Sequence, residues 1–191
     1  MKTTNVMIVG VGGQGSLLAS KLLGNLLTGE GYEVKVSEVH GMSQRGGSVV
    51  TYVRFGEKVY SPIIDKGEAD YIVAFELIEA ARYAPYLAKG GKIIANTQRI
   101  DPMPVITGAA DYPTDALDKL TTLGIDVDAI DALTPAIEAG SAKAVNILLM
   151  GRLSKYMTIP EEKWLEAIKQ SVATKFAELN LKAFKLGREM K

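Results

Sequence analysis

An apolar run that ends in a glycine-rich turn places the strongest constraint on how this chain can fold. The run NVMIVG (5–10) carries no charge and leads through GVGGQG (10–15) into a segment with leucines at helical spacing. A short, uninterrupted apolar run is typical of a strand buried on both faces of a parallel sheet. With the strand-like segment GYEVKVSE (31–38) that follows, the pattern predicts a βαβ unit.

The rest of the chain extends this unit. It predicts an α/β fold: a Rossmann-like open, mostly parallel sheet with helices on both faces, a hairpin extension and a helical C-terminus. The hairpin is expected over 49–63, where VVTYVRF is followed by a GE turn and by KVYSPI as a return strand. No linker or repeat interrupts the pattern, so one domain over 1–191 is expected. The other expected elements are strands at 70–76, 92–97 and 125–132 and helices at 77–91, 114–124, 141–157, 161–170 and 171–190.

Composition excludes several classes of function. Lys+Arg and Asp+Glu number 22 each and aromatic residues make up only 7%, so neither a basic footprint nor stacking platforms for nucleic acid are present. The chain has no cysteine, which excludes disulfides, Cys-ligated zinc and an iron–sulfur cluster held by its own residues. No apolar run reaches the roughly 18 residues of a membrane span, and the start of the chain lacks a signal segment. We therefore expect a cytoplasmic protein without membrane contact.

The glycine turn fits the spacing G-x-G-x-x-G between a strand and a helix. Gly12 lacks a Cβ where a phosphate would approach, and the helix N-terminus offers free N–H groups. Glu38, 23 residues after Gly15, lies where a ribose-binding acid would sit. Ser16 stands where a P-loop has lysine, so nucleotide hydrolysis has no support. Bare turn geometry, an anion contact made with other groups, and an NAD(P) or FAD site all remain open.

A second loop, VHGMSQRGG (39–47), starts at the carboxyl end of the second predicted strand. Ligands of open α/β sheets bind at this edge, from which the glycine turn also emerges, so we expect the two loops to be neighbours. Arg45 is the best anion ligand of the loop because its guanidinium is always charged and forks onto carboxylate or phosphate. His40, the single histidine, is interpreted mainly as an orienting residue.

Both loops together carry a resemblance. GVGGQG at the first turn and EVHGMSQRGGSV (38–49) at the second are similar to the gamma-type domain of the 2-oxoacid:ferredoxin oxidoreductases. VAFELIEAARY, IIANT and GSAKAVNILLMGRL extend the likeness over nearly the whole chain. The second loop looks most like the branch of that family that acts on aryl 2-oxoacids such as indolepyruvate, and pyruvate or 2-oxoglutarate gamma subunits are the alternative.

The resemblance implies a thiamine-diphosphate-dependent reaction that forms acyl-CoA, CO2 and reduced ferredoxin. It also implies that thiamine diphosphate and the iron–sulfur clusters belong to a large partner subunit, because this chain lacks cysteine and a G-D-G…N signature. The chain would be a non-autonomous subunit that binds no cofactor alone, covers the partner's active site and helps place coenzyme A as co-substrate. A homodimer of the isolated chain is left open, as is a stand-alone NAD-binding protein built on the glycine turn and Glu38.

The resemblance carries locations for the site onto this chain, but no catalytic residue. Arg45 would bind a phosphate of coenzyme A or a carboxylate, the N–H groups of the first loop would add an anion contact, and Gln44 would orient the second loop. A plain subunit interface is the alternative, since arginine is enriched at interfaces. The residues that the resemblance places at the site are Gly12, Gly13, Gln14 and Gly15 in the first loop and Ser43, Gln44, Arg45 and Gly46 in the second.

Four polar residues outside the loops receive interpretations from the sequence. Glu76 and Glu79 are three apart on one helix and are expected to be solvated charges or part of a subunit salt bridge. Lys143 is expected at the surface. Asn146, one turn further into its helix, is expected to satisfy the backbone of a nearby turn.

Overall fold

A computed structural model describes residues 3–41 and 46–190. Within these ranges six strands form one sheet in the order β2-β3-β1-β4-β5-β6. The strands are β1 Thr4–Val11, β2 Glu33–His40, β3 Ser48–Gly56, β4 Ala69–Ala74, β5 Leu87–Asn96 and β6 Asp126–Ile130. The helices are α1 Ser16–Gly29, α2 Leu77–Tyr83, α3 Met103–Ile106, α4 Ala116–Thr122, α5 Leu133–Ala139, α6 Val145–Ser154, α7 Glu161–Ser171 and α8 Ala177–Glu189, with short 3-10 turns at Ala84–Tyr86, Ala142–Ala144 and Thr174–Phe176.

The sheet is open and mostly parallel, as predicted. β1, β4, β5 and β6 run parallel to one another, whereas β3 lies antiparallel between β1 and β2. Alternate residues of β1 face opposite sides: Val6 and Ile8 pack with α1, α6, α7 and α8, and Met7 and Val9 pack on the side of α2 and α4. Helices therefore cover both faces, and the chain ends in helices.

The hairpin predicted over 49–63 is wrong, because its first strand pairs with β2 instead of with 58–63. β3 pairs antiparallel with the preceding strand β2 over the whole length of β2, with Glu33 opposite Gly56 and His40 opposite Val49. Residues 57–63 form no strand, because Pro62 has no N–H to give to a ladder. Instead, the guanidinium of Arg54 donates from Nη1 to the carbonyl of Ile63 at 2.5 Å and ties this segment to the sheet.

The helix predicted over 77–91 is also too long. α2 ends at Tyr83, and Pro85 lies in the 3-10 turn that follows. Residues 87–91 belong to β5, where the register with β4 shifts between Ala69 and Tyr71. The glycine pair at 90–91 therefore marks an irregularity in a strand rather than the end of a helix.

The single-turn helix α3 (Met103–Ile106) was not predicted, and neither was the longer helix α5 (Leu133–Ala139). Its start is fixed by the Asp131 carboxylate, which accepts from the N–H groups of Leu133 at 3.0 Å and Thr134 at 3.2 Å. A hydrogen bond from the side chain of Thr134, together with these backbone bonds, holds the pKa of Asp131 below its usual range. An aspartate before a short run with an early proline is a helix-start signal that the interpretation missed.

Candidate functional site

The first loop joins β1 to α1 and rests on α6. Gly15 caps α1 with φ of 88°, a backbone conformation that favours glycine. A Cβ on Gly15 would lie 2.5 Å from Nδ2 of Asn146, which donates to the Gly15 carbonyl at 3.2 Å. Asn146 thus satisfies the backbone of the turn, as expected.

Gln14 belongs to the scaffold of the loop. Its Oε1 accepts from the N–H of Val11 at 2.7 Å, and its Nε2 donates to the carbonyl of Phe75 at 3.0 Å. The same carbonyl accepts from Nδ2 of Asn96 at 3.2 Å, and Oδ1 of Asn96 accepts from the N–H of Ala132 at 3.1 Å. The fully buried Asn96 therefore joins the carboxyl ends of β4, β5 and β6 to the first loop.

The two loops are neighbours, as their topology predicted. The N–H of Gly12 donates to the carbonyl of Gly47 at 2.8 Å, and the N–H of Gly46 donates to the carbonyl of Gly12 at 3.4 Å. The N–H of Gln14 donates to Val11 at 3.2 Å. Because the N–H groups of Gly12 and Gln14 bond within the protein, Gly13 and Gly15 are the first-loop glycines whose N–H groups are left for the anion contact that the resemblance implies. Ser43, Gln44 and Arg45 lie outside the described residues.

Two cavities meet at the first loop, and both are lined by Gly13 and Gly15. Neither residue's N–H group has a partner among the described residues. The first cavity, of about 390 Å³, opens toward β2 and β3 and contains Glu38 and His40. The second, of about 400 Å³, opens toward α5 and α6 and contains Lys143. The two cavities therefore differ in charge.

Glu38 is engaged by the fold on the side of the first cavity. Its Oε2 accepts from Oγ of Ser16 at 3.3 Å and from Oγ1 of Thr51 at 3.1 Å. A ribose hydroxyl would compete with these donors for the same carboxylate. The exposed ring of His40 lies beside the first cavity with Nδ1 3.1 Å from the carbonyl oxygen of Gly41.

Lys143 gives the second cavity its charge. Its side chain is exposed, as expected, and forms no ion pair among the described residues. Gln98 and Ile100 form the opposite wall, and Leu18 adds an apolar surface. Unpaired N–H groups beside a free ammonium suit a phosphate or carboxylate. Of the two cavities, this one favours an anion, because the other carries a carboxylate and no described cation.

The expectation that Glu76 and Glu79 are solvated is wrong. Their exposed fractions are 1% and 3%. Glu76 caps α2: its Oε2 accepts from the N–H of Glu79 at 3.2 Å, and its Oε1 accepts from the Tyr112 hydroxyl at 2.6 Å. Oε2 of Glu79 accepts from the hydroxyl of Ser48. Burial and the bond to Glu76 raise the pKa of Tyr112 far above its usual value.

Comparison with known proteins places the chain in a family. The sequence family described as pyruvate ferredoxin/flavodoxin oxidoreductase matches residues 5–190. The chain belongs to this family. It is 47% identical over 192 aligned residues to the indolepyruvate oxidoreductase subunit IorB of Thermococcus kodakarensis, with 98% of this chain and 95% of the relative covered.

Solved structures of similar fold come from the same group of enzymes. The keto/oxoacid ferredoxin oxidoreductase gamma subunit of Geobacter sulfurreducens has a TM-score of 0.72 at 21% identity, with 97% and 96% of the two chains covered. A 2-oxoglutarate:ferredoxin oxidoreductase of Magnetococcus marinus has a TM-score of 0.74 at 20% identity, and the match covers 98% of this chain but 31% of that one. These two matches show a shared fold, whereas the role of a subunit in a ferredoxin oxidoreductase complex rests on the family match and on the 47% identity to the IorB subunit.

The part of the chain that the structure describes offers neither a membrane-spanning helix nor a ready-made metal site. Over 3–41 and 46–190, no helix is long and apolar enough to cross a membrane. Within the same ranges, no group of three or more acidic or histidine side chains is arranged to hold a metal ion.

Proposed function

We propose that the chain is the small subunit of a thiamine-diphosphate-dependent oxidoreductase that converts an aryl 2-oxoacid such as indolepyruvate to acyl-CoA. The 47% identity to an indolepyruvate oxidoreductase subunit supports the substrate class. Because this chain has no cysteine, the iron–sulfur clusters of such an enzyme would lie in a larger partner. Thiamine diphosphate, bound by that partner, would supply the decarboxylation: the carboxylate leaves as CO2, two electrons reach ferredoxin through the clusters, and the acyl group forms a thioester with coenzyme A.

The task of this chain would be to cover the partner's active site and to hold coenzyme A. The observation that carries this role is the cavity beside Lys143. Lys143 and the first-loop residues Gly13 and Gly15 line this same cavity. No described carboxylate there competes for the ammonium group of Lys143. We assign a phosphate of coenzyme A to this cavity and the apolar wall at Leu18 to a less polar part of the molecule. The solved relative from Magnetococcus marinus is described with coenzyme A bound.

Replacement of Lys143 with glutamine tests the role. In the complex with the large subunit, Lys143→Gln should raise the KM for coenzyme A about tenfold, which corresponds to ~1.4 kcal/mol. The KM for the oxoacid should stay unchanged, because the variant loses one charge at the phosphate alone. Steady-state reduction of ferredoxin with either substrate varied gives both constants.

Lys169→Gln is the matched control, since Lys169 is exposed on α7 and forms no described ion pair. Equal KM values for coenzyme A in the parent complex and Lys143→Gln would contradict the phosphate site. Reduction of NAD with an oxoacid by the chain alone would instead support the stand-alone dinucleotide enzyme.

The variant Arg45→Ala distinguishes a ligand contact from a subunit interface. If Arg45 binds the ligand, the variant should weaken coenzyme A binding and leave assembly intact. If Arg45 binds the partner subunit, the variant should abolish assembly.

A further inference from the structure

The start of α2 holds two buried carboxylates that reach in different directions. Glu76 ends the connection from β4 and caps the helix, and Glu79 lies one turn later. A buried carboxylate is unfavourable unless donors satisfy it, so its donors indicate what it holds in place. Ser48, a donor to Glu79, follows the glycine pair that is bonded to the first loop, whereas Ile100, a donor to Glu76, lines the cavity beside Lys143.

Glu79 holds the strand that leaves the second loop. Its Oε2 accepts from the hydroxyl of Ser48, the first residue of β3, and its Oε1 accepts from Nε of Arg82 at 3.1 Å. Ser48 directly follows the glycine pair whose backbone bonds to Gly12. Glu79 therefore fixes the point where the two loops are joined to the body of the protein.

Glu76 holds the far wall of the cavity beside Lys143. Its Oε1 accepts from the N–H of Ile100 at 3.2 Å and from the hydroxyl of Tyr112 at 2.6 Å. Ile100 lines that cavity. The guanidinium of Arg99 stacks 4.3 Å from the ring centroid of Tyr112 and pairs with Asp101, which orders the same segment.

We propose that Glu76 and Glu79 are positioning residues that set the spacing between the first loop and Ile100, two parts of the wall of the cavity beside Lys143. The inference rests on the proposed function, because the two parts of the wall matter only if a ligand lies between them. Neither carboxylate contacts the ligand. Glu79 acts through Ser48, and Glu76 acts through Tyr112 and Ile100. Apolar side chains could fill the same volume, but without hydrogen bonds they would fix neither the direction nor the distance of Ser48, Tyr112 and Ile100.

Local opening separates this role from a general contribution to stability. Ser48→Ala removes only the donor to Glu79, and Tyr112→Phe removes only one donor to Glu76. In the full chain, NMR-detected amide exchange should become about tenfold faster at Gly12 and Gly46 in Ser48→Ala, with Ile100 unchanged. Tyr112→Phe should accelerate Ile100 about tenfold and leave Gly12 and Gly46 unchanged. Uniform acceleration of all three amides in both variants would overturn the proposal.

A matched control keeps the loss of a buried serine constant. Ser154 is buried in α6, donates to the carbonyl of Gly151 at 2.6 Å and accepts from Arg188 at 2.7 Å. Ser154→Ala should leave the exchange of Gly12, Gly46 and Ile100 unchanged. In Glu79→Gln the side chain keeps an oxygen that can accept from the Ser48 hydroxyl. The amides of Gly12 and Gly46 should therefore exchange at rates within about twofold of those in the parent chain. Faster exchange at Gly12 in Ser154→Ala, equal to that in Ser48→Ala, would contradict a local role.

Kinetics of the complex with the large subunit complete the test. Ser48→Ala and Tyr112→Phe should each raise the KM for coenzyme A about fivefold with kcat within twofold, and Ser154→Ala should change neither. If Lys143→Gln raises this KM but neither variant does, the positioning role fails and the proposed function stands. If the parent complex turns over without coenzyme A, the proposed function fails, and the exchange pattern alone decides whether the two carboxylates hold these parts of the wall.

Discussion

The variant Arg152→Met is expected to unfold with a free energy about 3–5 kcal/mol lower than that of the parent chain. Arg152 lies on α6 and is 6% exposed. Its guanidinium donates two hydrogen bonds to the carboxylate of Asp128 in β6, from Nε to Oδ2 at 2.5 Å and from Nη2 to Oδ1 at 2.8 Å. Its Nη1 also donates to the carbonyl of Met190. Removal of the guanidinium leaves the largely buried Asp128 carboxylate without the cation that is bonded to it. Urea unfolding at neutral pH measures the loss.

The double variant Arg152→Met with Asp128→Asn should recover at least half of that loss. The asparagine carries no charge and still offers an oxygen to the hydroxyl of Tyr156, which lies 2.5 Å from the Asp128 carboxylate. A double variant as unstable as Arg152→Met would show that the lost packing of the arginine, and not the unpaired charge, is responsible.

The same pair predicts a dependence on pH. Burial raises the pKa of Asp128, but the bonds from Arg152 and Tyr156 and the charge of Arg152 outweigh burial, so the pKa lies below its usual value. A lowered pKa contributes stability above the unfolded value of about 3.9, and this contribution is lost as pH falls through the folded value. The difference in stability between the parent chain and Arg152→Met should therefore shrink below about pH 4. A constant difference from pH 7 to pH 3 would contradict the assignment to Asp128.

The variant Gly187→Ala should destabilise the chain by about 3 kcal/mol. At the crossing of α6 and α8, a Cβ on Gly187 would lie 2.0 Å from the carbonyl oxygen of Leu148. The crossing is reciprocal, because a Cβ on Gly151 would lie 2.1 Å from the carbonyl oxygen of Phe184. Both obstacles are backbone atoms of buried helices, so the helices themselves must separate. Thermal and urea unfolding check the value.

Gly24→Ala is the matched control. Gly24 lies inside α1, and the nearest atom to an added Cβ is Cγ2 of Val36 at 3.8 Å, an ordinary contact. Alanine should stabilise this helix by about 0.5–1 kcal/mol, because glycine is the poorer helix former. Equal effects of the two substitutions would show that the helix crossing tolerates separation.

The sequence predicted the sheet well because buried strands leave continuous apolar runs such as NVMIVG. It misplaced the pairing of β3, since local pattern does not reveal that a strand enters between β1 and β2. It extended α2 too far because Leu87 and the residues after it have no periodicity that separates a helix from a strand. Two prolines could have prevented these errors: Pro85 indicates the end of α2, and Pro62 argues against a return strand over 58–63.

The site was predicted in position more than in detail. The adjacency of the loops follows from the common edge of a parallel sheet and was expected. The burial of Glu76 and Glu79 was not, because a helical acid pair looks the same in sequence whether it faces water or a buried hydroxyl such as that of Ser48. The position of Glu76 directly after an apolar strand, before a helix, is the signal that could have identified it as a cap.

The order of elements along the chain has a consequence for synthesis. All ten residues of α6 are buried, and α6, α7 and α8 cover the sheet face that carries Val6 and Ile8. These helices are translated after all six strands, so this face of the sheet lacks their cover until residues 145–190 have left the ribosome. A nascent chain exposes apolar surface in this interval and is prone to aggregation. Emergence of residues 145–190 from the ribosome must therefore precede burial of this face, and chains truncated before α8 are expected to require chaperones.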